Sequence, residues 1–142
     1  MKLAQLFTGN QQDIVKIRDD STIARAADII TEKKIGALMV EDAAGKIVGI
    51  LSERDIVRGM GPHGANLQDV QVSELMTADL IRCAPDDTVN EAMAMMTERH
   101  IRHLPIFDGD DLVGLISIRD LMKCRIMEVQ SEAEALRQYI LS

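Results

Sequence analysis

Aromatic side chains are nearly missing from this sequence: no Trp, one Tyr and two Phe among 142 residues. Modules that read single-stranded nucleic acid stack bases on aromatic platforms, so the shortage counts against that role. Positive charge is also in deficit. A net charge of −7 repels phosphate backbones, and no basic stripe offsets it. Nucleic acid is therefore not expected as a partner. Any purine bound by this chain must lie among aliphatic side chains.

No apolar run approaches the roughly 20 residues needed to span a bilayer, so no membrane association is expected. The opening stretch "MKLAQLFTGNQQD" is too short in apolar residues for a secretory signal, which leads to a cytoplasmic expectation. Only two cysteines occur, Cys83 and Cys124, without CxxC spacing; in the cytosol they read as small buried hydrophobes. His100 and His103 form an HxxH, but no third ligand stands close by in sequence, and no metal is expected. With 46% apolar and 27% charged residues the chain reads as globular, forming one domain or two very small ones.

What is present is a repeat. "GILSERD" at 49–55 returns as "GLISIRD" at 114–120. "TIARAADIITEKKI" (22–35) matches "TVNEAMAMMTERHI" (88–101), and "IGALMV" (35–40) matches "IRHLPI" (101–106), both at an offset of 66. The motifs themselves align at 65, because "EDAAGKIVG" is one residue longer than "FDGDDLVG", a difference that falls in a turn. The lead-ins "LAQLFT" (3–8) and "VSELMT" (72–77) also correspond.

Each copy has the pattern β-α-β-β-α. A short strand is expected near 14–17 and 80–83. The following helices carry stripes at Ile23, Ala26, Ala27 and Ile30, and at Val89, Ala92, Met93 and Met96. Thr88 with Glu91 reads as a capping-box start. Two strands follow, joined by a turn at Gly45 or Gly109, and a second helix begins near Ser52 or Ser117. By this reading residues 1–60 hold the first repeat, 61–71 a linker, 72–125 the second repeat and 126–142 a C-terminal helix. "GMGPHGAN" (59–66) reads as a flexible loop; its G-x-G-x-x-G pattern follows a helix and contains Pro62, so it is not a dinucleotide fingerprint. In the tail, Ile126, Val129, Ala133, Leu136 and Ile140 alternate steps of three and four, a seam suited to packing on the same domain or on a partner subunit.

The doubled S-x-x-D admits two readings. Ser52 or Ser117 can cap a helix, with Asp55 or Asp120 at its third position, where negative charge suits the dipole. The glycine then lets the strand turn. The same strand-to-helix corner also offers backbone N–H groups to an anion, and its aspartate can grip vicinal ribose hydroxyls. A cap serine can also touch a ligand. No activated nucleophile, catalytic carboxylate pair or metal constellation accompanies it, so no enzyme is expected.

With these motifs in order and in both copies, the chain resembles a tandem pair of CBS (cystathionine-β-synthase) domains, a Bateman module of the stand-alone bacterial type. "IRHLPIFDGDDLVGLIS" (101–117) is especially typical. The resemblance implies an α+β fold of two β-α-β-β-α repeats packed with quasi-two-fold symmetry, plus a C-terminal helix. It also implies a regulatory adenosine-nucleotide sensor for AMP, ATP, NAD(H) or S-adenosylmethionine. Such a module has no catalytic cofactor, commonly forms a homodimer, and acts on an effector protein that the sequence does not name. Carried over residue by residue, it places ribose contacts at Ser52, Asp55, Ser117 and Asp120. Phosphate contacts fall to Arg102 and His103, which replace Gly36 and Ala37 of the first copy, with Arg54 and Arg119 as further candidates. The adenine walls fall to Gln12, Asp13 and Ile14 in the first repeat. In the second they fall to Thr77, Asp79, Leu80 and Ile81, and Pro105 holds the strand path. The remaining alternative is a ligand-independent dimerisation scaffold whose motif residues only cap helices.

Overall fold

The computed structural model describes residues 1–7 and 14–142. Gln12 and Asp13 lie outside the described residues. The elements are β1 (Lys16–Arg18), α1 (Ile23–Lys33), β2 (Ala37–Glu41), β3 (Ile47–Ser52), α2 (Glu53–His63), α3 (Val72–Leu75), α4 (Val89–Arg99), β4 (His103–Asp108), β5 (Asp111–Ser117) and α5 (Ile118–Leu141). Short 3-10 turns cover Leu3–Phe7 and Gly64–Asp69. Helices and strands thus mix, as expected. They gather into two compact units, Asp13–Ile81 and Met1–Gln12 with Arg82–Ser142.

The two units repeat one plan. α1 begins where Thr22 accepts the Arg25 N–H at 3.2 Å, and α4 where Thr88 accepts the Glu91 N–H at 3.1 Å. Both helices bury three of the four residues of the expected stripe, Ile23, Ala26 and Ile30 in one and Val89, Ala92 and Met96 in the other, while Ala27 and Met93 are half-buried. Each packs on an antiparallel hairpin, β2–β3 or β4–β5, with a register shift at matching positions, Val40/Glu41 and Ile106/Phe107. Gly45 and Gly109, with φ of +83° and +63°, make the hairpin turns. Leu38, Val40 and Leu51, all fully buried, close the first core with α1.

The helices end alike as well. Lys34 and His100 cap α1 and α4 in the left-handed conformation, with φ of 55° and 56°. His100 is thus a helix-ending residue, and among the described residues no group of three His, Cys, Asp or Glu could hold a metal. A side chain in this conformation costs about 1 kcal/mol that glycine avoids. Lys34→Gly is therefore expected to raise the urea unfolding free energy by roughly that amount.

One expected strand does not form. β1 pairs with β2 in parallel over three residues, whereas its counterpart is the single bridge Cys83↔Ile106. The two prolines explain this. In the first copy the Met39 N–H reaches the Val15 carbonyl and the Asp19 N–H reaches that of Glu41. The matching positions are Pro105 and Pro85, which have no N–H to donate. Only the bonds from Cys83 N–H to Pro105 and from Phe107 N–H to Cys83 remain (3.1 and 2.9 Å).

The loop expected at 59–66 is instead helical. α2 runs through Gly59 and Pro62 to His63 and stops at Gly64, φ +53°. Pro62 is the second-last residue of α2, and without an N–H it leaves the helix one bond short at that end. Gly59 is buried, and a Cβ there would lie 2.7 Å from Leu75 Cδ1 and 3.0 Å from Leu67 Cδ1. Gly59 thus serves close packing of α2 against Leu75 and Leu67 rather than chain flexibility.

The corresponding lead-ins are exchanged between repeats. Val72 and Ser73 donate to the Ser21 and Asp19 carbonyls, and the Ile23 N–H returns to Val70. In the same way Leu3 and Ala4 donate to Asp87 and Pro85, and the Val89 N–H returns to Met1. Leu3 and Val72 are both fully buried. Each lead-in thus completes the core of the repeat it does not precede.

Cys83 is buried, and burial, aided by the charge of Asp87, pushes its thiol up to about 12 from 9.0. The folded state therefore holds the thiol proton more tightly than the unfolded state. This contribution is complete below pH 9 and is lost as pH rises from about 9 to 12. Urea unfolding at about pH 8 and about pH 10.5 is expected to show a larger alkaline loss for the native sequence than for Cys83→Ala.

Candidate functional site

Both motifs form the same strand-to-helix corner. At α2, the Ser52 N–H donates to Asp55 Oδ2 at 3.0 Å, and the Asp55 N–H donates to Ser52 Oγ at 3.3 Å. At α5, the Ser117 N–H donates to Asp120 Oδ2 at 3.0 Å, and the Asp120 N–H donates to Ser117 Oγ at 3.2 Å. These reciprocal capping boxes satisfy two of the orphan donors at each helix start. A third is satisfied from the preceding strand entry: Glu53 N–H donates to the Gly36 carbonyl at 3.0 Å, and Ile118 N–H to that of Arg102 at 2.8 Å. The capping reading is thus realised in full, and a ligand can use only what capping leaves over.

The two corners leave different remainders. Asp55 is 8% exposed. Its Oδ2 also accepts the Ser52 hydroxyl at 3.1 Å, and its Oδ1 faces Thr77 Oγ1 at 3.5 Å and Arg58 Nη1 at 3.9 Å. Asp120 is exposed, and its Oδ1 has no partner among the described residues. No acceptor for the Ser117 hydroxyl is present among them either. Of the first N–H groups of α5, that of Arg119 is left over once Ser117, Ile118 and Asp120 are paired.

Charge follows the same division. The hydrogen bond from Ile118 fixes the Arg102 backbone at the α5 corner, and His103 lies directly opposite Ser117 in the hairpin register. Arg102 and Arg119 are exposed; His103 is half-buried. The first corner has Gly36 and Ala37 in these places, with Ala37 opposite Ser52 and Arg54 exposed on α2. Pro105 is buried in β4, and its carbonyl takes the Cys83 N–H.

Thr77 sits where the sequence pattern does not put it. Its backbone bridges Ile50 in both directions, at 3.0 and 2.8 Å, which docks it beside the first repeat's Asp55. Thr77 and Asp79 are exposed, Leu80 and Ile81 are half-buried, and all four share a unit with Ser52 and with half-buried Ile14. Gly49 makes this docking possible: a Cβ there would lie 2.9 Å from the Thr77 carbonyl oxygen and 2.8 Å from Met76 Sδ. The motif glycine therefore serves close approach, and its φ is not positive. Sequence reasoning missed Arg58, though its place three residues after Asp55 on a helix was the available signal.

A duplicated hairpin-and-helix unit, with a serine–aspartate corner at the start of the last helix of each copy, defines a tandem repeat. The family model "CBS domain" matches residues 10–61 and 72–126, and the chain belongs to that family. It is 31% identical over 125 residues to the CBS domain-containing protein CBSX3, mitochondrial, of Arabidopsis thaliana, covering 85% of this chain and spanning 61% of that protein. The crystal structure of the CBS-domain containing protein ATU1752 from Agrobacterium tumefaciens superposes with a TM-score of 0.84 at 35% identity, over 87% of this chain and 92% of that one. The CBS domain pair of protein MJ0100, solved with 5-methylthioadenosine and S-adenosyl-L-methionine, shares the fold at a TM-score of 0.78 and 22% identity, over 90% and 98%. Among the described residues no helix is long and apolar enough to cross a membrane.

Proposed function

We propose that this chain is a non-enzymatic sensor that binds an adenosine nucleotide, AMP, ATP or NAD(H), and passes its state as a homodimer to an effector protein. The observation that carries the reading is the second corner. There an exposed carboxylate oxygen on Asp120 and a spare hydroxyl on Ser117 stand beside Arg102 and His103. A carboxylate suits vicinal ribose hydroxyls, and a helix start flanked by arginine suits phosphate. The adenosine-type ligands of MJ0100 give the reading further support. The first corner, with Asp55 already engaged and no basic residue at Gly36 or Ala37, is the weaker of two unequal sites. Binding shifts an equilibrium between arrangements only by its affinity difference for them.

Thermal shift against AMP, ADP, ATP, NAD⁺, NADH and S-adenosylmethionine tests this. Stabilisation by at least one nucleotide below millimolar concentration is expected. No shift with any of them favours the ligand-independent scaffold.

A further inference from the structure

Helix α5 is 24 residues long, yet Leu121 is its only buried residue. Met122, Ile126, Val129, Leu136 and Ile140 are 48–72% exposed. With Ala133 between them they step by four and three in turn, which makes one straight seam of period about 3.5. At 1.5 Å per residue it is about 27 Å long. Among the described residues nothing buries this seam.

Charge selects what covers it. The chain as a whole carries −7, but α5 is balanced, with four basic and four acidic side chains. Net repulsion between two copies is therefore absent along this helix. Taking Ile126, Ala133 and Ile140 as heptad positions a, and Met122, Val129 and Leu136 as d, puts Glu132 at g and Arg137 at e. In a parallel, in-register pair, g faces e of the following heptad on the other helix. Glu132 of each copy then meets Arg137 of the other, twice by symmetry. In the antiparallel register that overlaps all six apolar positions, Glu132 meets Glu132 and Lys123 meets Arg137, both like-charged. Arg137 has only a 4.0 Å surface contact with Glu134 to give up. The helix is already formed and anchored through Leu121, so pairing carries no helix-nucleation cost, and a short seam is enough.

We infer that the exposed seam of α5 pairs in parallel and in register with α5 of a second copy of this chain. This assigns a contact to the proposed homodimer and does not depend on nucleotide binding, which has its own readout. Sedimentation equilibrium from low-micromolar to several hundred micromolar should show a dimer. Glu132→Arg should weaken it by about tenfold or more, and Glu132→Arg with Arg137→Glu should restore it. Both positions are exposed, so folding is preserved, which circular dichroism checks. In a Cys124→Ser background, Leu136→Cys should cross-link to itself on mild oxidation, because d faces d only in the parallel pair. A monomer throughout the range, a dimer indifferent to Glu132→Arg, or failure of the double variant to recover would overturn the inference. So would the absence of a cross-link in the Leu136→Cys variant.

Discussion

Asp120→Ala is expected to remove most of the thermal stabilisation given by nucleotide while leaving the fold nearly intact. A ligand at ~100 times its Kd adds about 2.7 kcal/mol, or roughly 8 °C for a chain of this size. Losing the ribose grip removes most of that shift. The structural cost is small, since Asp120 is exposed and contributes one side of a capping box, about 1 kcal/mol or less. Asp55→Ala behaves differently. It takes a buried carboxylate from the Ser52 N–H and hydroxyl, from Thr77 and from Arg58, so it costs about 1–3 kcal/mol before any ligand is added. Paired melting curves with and without nucleotide separate the two effects. A full nucleotide shift surviving in Asp120→Ala would mean the site is elsewhere.

The second large effect belongs to Gly49. Gly49→Val places side-chain atoms against the Thr77 carbonyl and Met76, and one of these obstacles is backbone, which cannot rotate away. The double bridge between Ile50 and Thr77 must open, and with it the contact from Thr77 to Asp55. Overpacking of this kind costs about 2–3 kcal/mol, readable as a lower urea midpoint. A merely turn-forming glycine with ordinary φ would tolerate valine in a strand at little cost, so an unchanged midpoint would refute the close-approach account.

Much of this was legible in the sequence. Apolar periodicity fixes one face of α1 and α4, and Thr22, Thr88, Ser52 and Ser117 mark the helix starts, because these signals act within a few residues. The single-bridge strand at Cys83 was also foreseeable, since it follows from two visible prolines. Other features arise from chain segments far apart in sequence. Correspondence of "LAQLFT" with "VSELMT" shows that the lead-ins are equivalent, but not that each completes the other repeat's core. For that reason Thr77 reads with the second motif and is found beside Asp55. Gly59 and Gly49 mislead in a similar way: local rules offer flexibility or a turn, while the actual demand comes from Leu75 and from the Thr77 backbone. The difference between Asp55 and Asp120 is likewise invisible in two identical S-x-x-D spacings. It depends on Arg58 and Thr77, which face Asp55 and have no counterpart against Asp120 among the described residues.

A ribose held at the Asp120 corner is read out by isothermal titration with the nucleotide that gives the largest thermal shift and with its 2′-deoxy form. A site built to bond vicinal hydroxyls leaves a carboxylate oxygen unpaired when one is removed, so the deoxy form should bind at least about tenfold more weakly. Equal affinity for the two would contradict the account.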